Sequence, residues 1–191
     1  MAHTESQIMQ VPAGEETRQP VSEDNPLSVI IENAVLPPLQ SPATVTTEWV
    51  VVPGIVAGAA YATGEQMGGL FRIDTQCTGG VVVGVLVVDL DKEQLAFDVL
   101  LFSDRVTLAA DNAAATLADN QQLLFRGHVS VALGDYAALS DNAVATVRNV
   151  GLGFSAPRGY LWASCVTRGV PNYTTARDLA VALVILPDAR A

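Results

Sequence analysis

The chain has 191 residues, 50% of them hydrophobic, and carries ten Lys and Arg against twenty Asp and Glu, a net charge of −10. That balance removes the usual basis of nucleic-acid affinity, neutralisation of phosphates by Lys and Arg, and works equally against an anionic membrane surface. Neither nucleic acid nor membrane is therefore expected as a partner. A mean hydropathy of +0.33 is high for a free monomer: either many strands are covered on both faces, or a partner covers apolar surface.

Residues 1–44 hold six of the ten prolines, six acidic residues, one Arg and no aromatic residue. Such a stretch buries too little apolar surface to offset its ordering entropy. It reads as an extended, acidic, Pro-rich N-terminal arm ahead of a domain over 45–191. Within it Leu27, Val29, Ile30 and Ile31 form a short β-prone run, followed by Leu36 and Leu39. Two readings stay open: a tail without fixed structure, or an arm that orders on a neighbouring subunit. In the second, these six residues are the interface and 27–31 adds a strand to an exposed sheet edge. No basic stretch leads into an apolar run near Met1, so no secretory signal is expected.

From Val45 onward, runs rich in Val, Ile, Leu and Thr are separated by Gly, Asp-Asn and Pro clusters, the pattern of strands and turns. It predicts eight strands, over Val45–Val52, Gly69–Thr75, Gly80–Asp89, Gln94–Phe102, Leu123–Leu133, Ala143–Val150, Tyr160–Thr167 and Asp178–Leu186. The fold class is all-β, an antiparallel, jelly-roll-like sandwich. Gly80–Phe102 reads as a central hairpin covered on both faces, turning at Asp89–Glu93. Helix signal is confined to single turns near Leu117–Gln122 and Asp135–Leu139, the latter capped by Asp135. The Gly68-Gly69 and Gly79-Gly80 pairs read as strand-entry turns. No apolar run approaches the ~20 residues that span a bilayer.

The residues that could carry chemistry have simpler readings. Asp89, Asp91 and Glu93 share one loop, but no mid-loop glycine or following Glu completes a calcium loop, so they read as a solvated turn. Asp104, Asp111, Asn112, Asp119 and Asn120 recur along one long loop, as Asx residues do in turns. His128, Ser130 and Asp135 invite comparison with a catalytic triad, but no nucleophile sits on a sharp turn. Cys77 and Cys165 fit no zinc or redox spacing and read as free buried thiols. Trp49, Tyr160 and Trp162 read as core or interface anchors. The scattered arginines are of the kind that pairs with carboxylates across interfaces. No catalytic residue, metal site or cofactor is expected.

Several patches occur in a distinctive order: Gly84-Val85-Leu86-Val87-Val88-Asp89, Leu95–Phe102, Asp111-Asn112-Ala113-Ala114, Gly127–Val131, Val150–Phe154, Tyr160–Ala163, Arg168–Tyr173 and Asp178–Val181. Over about 110 residues, without the arm, this order resembles the small β-sandwich virion structural proteins of tailed bacteriophages. The resemblance implies a head decoration or cement protein on the capsid surface, assembled in the host cytoplasm. Its implied partners are the major capsid protein and copies of itself, as a homotrimer. A low-copy neck, portal or tail component is the alternative within that group; a ligand- or carbohydrate-binding β-sandwich is the alternative outside it.

Overall fold

The computed structural model describes residues 43–56 and 58–188. It contains ten strands: β1 Val45–Thr46, β2 Val50–Val51, β3 Gln66–Asp74, β4 Gly79–Asp89, β5 Phe97–Phe102, β6 Phe125–Val131, β7 Tyr136–Ala138, β8 Ala143–Ser155, β9 Tyr160–Thr167 and β10 Leu179–Pro187. A six-stranded sheet has the order β1-β10-β4-β8-β7, with β2 also on β10, and a four-stranded sheet has the order β3-β9-β5-β6. Every pairing is antiparallel.

The chain crosses between the sheets after β2, β3, β4, β6, β8 and β9, which is jelly-roll wiring. Two packed antiparallel sheets bury the alternating residues of their facing sides. On β4 these are Val82, Val85 and Val87; on β10 they are Leu179, Val181, Leu183 and Ile185; on β5 they are Phe97, Val99 and Leu101. At about 1.5–3 kcal/mol for each large side chain fully buried, this layer is the main source of stability.

All eight predicted strand regions are present, with changes in detail. Val45–Val52 is broken into β1 and β2, because the Thr47 side chain enters the ladder: its hydroxyl accepts the Leu183 N–H at 3.0 Å. The predicted central hairpin does not form. β4 pairs with β10 and β8, whereas β5 pairs with β9 and β6. Both strands are central, but in opposite sheets, and the loop between them spans the sandwich. Each of these apolar runs has its own sheet to fill, and residues 90–96 are long enough to cross. Leu100, which the hairpin reading buries, is only half-buried and pairs with Ser164 and His128.

Gly68 and Gly69 lie inside β3, where the β3–β9 register shifts. Gly68 has φ +67°, and a Cβ there would stand 2.6 Å from the Pro53 carbonyl oxygen and 2.8 Å from Val52 Cγ1, so this bulge requires glycine. The predicted turn at Asp135–Leu139 is a 3₁₀ turn over Leu133–Asp135 followed by β7. Asp135 caps it from the third position, accepting the Ala132 N–H at 2.8 Å. The other helical turn spans Asp119–Leu124.

Candidate functional site

The β-alternation that fills the core leaves a second apolar set on the outward side of the six-stranded sheet. The register aligns Ala180 with Val88 and Val88 with Val144, then Ala182 with Leu86, then Leu186 with Val81. Of these residues only Ala182 is fully buried; Leu86, Val88, Val144, Ala180 and Leu186 are half-buried. Val51, opposite Ala180 on β2, is 44% exposed, and Trp49 just ahead of it is 48% exposed. Thr146 and Arg148 on β8 are the polar residues at its margin. A sheet side facing water usually carries alternating polar residues. Here the high hydropathy read from the composition is concentrated on one outward face. Trp49 is an exposed residue beside this face and lies outside the core.

β7 pairs only with Ala143–Ala145 of β8. The outward backbone of β8 from Thr146 to Ser155 has no partner strand among the described residues. Such an edge takes an added strand readily.

The outward side of the four-stranded sheet is different. The β5–β6 connection leaves Phe102, reaches the far edge of β3 and returns. It is bonded there through Gln66 N–H to the Ala113 carbonyl (2.8 Å) and Asn112 N–H to the Gln66 carbonyl (2.9 Å). Asp111 anchors the crossing. Its carboxylate accepts the Val56 N–H at 2.9 Å and the Tyr61 hydroxyl at 2.7 Å, and also the Gly68 N–H. Burial and this neighbouring carboxylate push the Tyr61 phenol well above its ordinary range. Asp111 is thus a three-way clamp, beyond the Asx-turn role expected for it.

Residues singled out for chemistry are dispersed or engaged. Asp98 is buried, accepts the Ser130 hydroxyl at 2.7 Å and the Arg168 Nε–H at 2.6 Å, and is forked by the same guanidinium. Ser130 is therefore bonded to Asp98, Asp135 to a backbone amide, and no triad forms with His128. Asp91 accepts the Thr174 N–H at 2.8 Å and Glu93 the Asn172 N–H at 3.1 Å, joining the β4–β5 loop to the β9–β10 loop. This cluster is structural, and the expected solvated turn is corrected. Cys77 and Cys165 are free and buried, and burial pushes the Cys165 thiol far up. Among the described residues no group of three His, Cys, Asp or Glu could hold a metal ion, and no helix is long and apolar enough to cross a membrane. Leu27, Val29, Ile30, Ile31, Leu36 and Leu39 lie outside the described residues.

Asp89 is fully buried and accepts the Gln94 N–H at 2.7 Å and the Asp91 N–H at 3.2 Å. Desolvation outweighs these donors and holds its carboxyl above the usual range. The folded state therefore keeps a proton that the unfolded chain releases. The stability Asp89 contributes is fully present below its ordinary pKa and is lost as pH rises through the raised value. Urea unfolding from mildly acidic to neutral pH checks this. The stability of the wild type relative to Asp89→Asn should fall as pH rises, and parallel profiles would refute it.

The chain matches no protein-family model and no curated protein. Among solved structures it is similar to the serine protease of Aeromonas sobria in complex with its chaperone, at 15% identity and a TM-score of 0.30, over 76% of this chain and 27% of that one. The same protease alone gives 15% identity and a TM-score of 0.28, over 75% and 27%. The chain thus spans about a quarter of the length of these structures. Likenesses this distant carry no argument about fold or activity.

Proposed function

We propose that this chain is a bacteriophage virion structural protein, a capsid decoration or cement protein that stabilises the head by bridging capsid subunits and acts without catalysis. The observation that carries this reading is the apolar outward face around Leu86, Val88, Val144 and Ala180. Such a face is costly in water and favourable against another protein. The jelly roll serves viral capsid proteins among other uses, although fold alone does not choose a function. The open backbone of β8 is suited to strand addition. In an assembly of several copies, the run Leu27–Ile31 of a neighbouring molecule is a suitable strand, and tethering would raise its effective concentration.

The test is stoichiometric. Purified particles analysed by densitometry should contain the chain in numbers comparable to the capsid subunits. A few copies per particle would instead assign it to the neck, portal or tail. A chain lacking residues 1–42 should remain β-rich by circular dichroism and bind particles more weakly. Binding equal to that of the full chain would remove the arm from the proposal.

A further inference from the structure

We propose that copies of this chain associate head to tail, the arginine–aromatic end of one four-stranded sheet being received by the carboxylate-bearing end of the next molecule. Four of the seven arginines among the described residues meet at one end of the sandwich. The Arg72 guanidinium lies 4.9 Å from the Tyr160 ring centre, and that of Arg105 lies 6.0 Å from the Trp162 ring centre. Tyr160 and Trp162 pack edge to face at 6.2 Å. Arg126 and Arg158 share with Tyr160 and Asp104 a surface pocket of about 380 Å³.

Two carboxylates oppose these four cations, and both are engaged: Asp74 with Arg72 and Asp104 with Arg158, each at 3.1 Å. Arg105 and Arg126 have no carboxylate within 4.0 Å among the described residues. This is a local excess of positive charge on a chain whose acids outnumber its bases twenty to ten.

The opposite end has the complementary excess. Asp91, Glu93, Asp135 and Asp141 stand on the β4–β5 loop, the β6–β7 turn and the β7–β8 turn. Lys92 Nζ bonds the Ser140 carbonyl at 3.2 Å, which brings two of these turns together. Arg168 is committed to Asp98. The ends are separated by the length of β4, eleven residues, or roughly 35 Å at ~3.3 Å per residue. Like ends repel, so a symmetric pairing of either end with itself is disfavoured. Unlike ends attract, and guanidinium groups held over aromatic rings present a planar fork to carboxylates. A nucleic acid or other extended polyanion would meet the net charge of −10, whereas a second copy supplies the carboxylates and shares the geometry. Head-to-tail contacts close into a ring when the rotation allows.

The inference rests on the self-association included in the proposed function, and one experiment separates the two. The full chain is sedimented in about 0.1 M and about 1 M salt, where the screening length is roughly 10 and 3 Å. A defined oligomer should form in the first and dissociate in the second. Arg105→Glu/Arg126→Glu and Asp135→Lys/Asp141→Lys should each be folded by circular dichroism and monomeric alone, and should associate when mixed. Should the first double variant not fold, Arg126→Gln, at an exposed position, should still weaken association at least about tenfold. A monomer at both salt concentrations overturns self-association altogether. An oligomer that ignores salt, or survives the arginine substitutions, overturns only this surface.

Discussion

Val85→Asp is expected to abolish the cooperative fold. Val85 is fully buried in the core at the centre of β4, where it pairs with Leu183 on one side and Val147 on the other. The substitution removes about 1.5–3 kcal/mol of side-chain burial and places an unpaired carboxylate in the apolar layer, which costs several kcal/mol more even if it stays protonated. The total is comparable to the roughly 5–15 kcal/mol that holds a domain together. Leu86→Asp, one residue later, turns outward towards Ala182 and Thr146. It should leave a folded protein, with a loss within about 2 kcal/mol. Circular dichroism with urea unfolding of both variants checks the pair. A native-like Val85→Asp protein would mean that the two faces of β4 have been exchanged.

Asp111→Ala should be the most damaging substitution in the long β5–β6 connection. It strips partners from the Val56 and Gly68 amides and from the buried Tyr61 hydroxyl. Hydrogen bonds to charged groups are worth about 1.5–3 kcal/mol each, and the three are not additive, so a loss of about 2–5 kcal/mol is expected. A double-mutant cycle isolates the buried contact. Tyr61→Phe should destabilise the wild type clearly and the Asp111→Ala protein hardly at all. Hydrogen exchange at the Gln66 amide, which donates to Ala113, should accelerate in Asp111→Ala. Equal costs of Tyr61→Phe in both backgrounds would show that the clamp is not energetically coupled.

The strands were legible because β-branched runs and their Gly, Pro and Asx boundaries are local signals. The partners of those strands were not. Val81–Val88 and Leu95–Phe102 read naturally as one hairpin, since sequence proximity favours adjacent pairing, yet each is central to a different sheet. Tyr136–Ala138 escaped notice because three residues carry little periodicity; pairing with Ala143–Ala145 makes them a strand. The role of Asp111 was equally hidden, because its partners Val56, Tyr61 and Gly68 are more than forty residues away. The surplus of apolar residues was visible in the hydropathy. That much of it lies on the outward face of the six-stranded sheet was not, because an uninterrupted Val run does not say which of its alternate residues faces the core.

By itself the sequence determined that 45–191 is a β domain, that the preceding arm is compositionally distinct, and that acids outnumber bases twofold. These follow from composition and short-range pattern, which each segment carries alone. The tertiary structure decided that the domain is a jelly roll, that Asp111 bridges distant loops, and that four arginines gather around Tyr160 and Trp162 while carboxylates gather at the other end. The physical reason is that packing two sheets face to face brings together strand ends far apart in the chain, and no local interaction encodes which ends will meet.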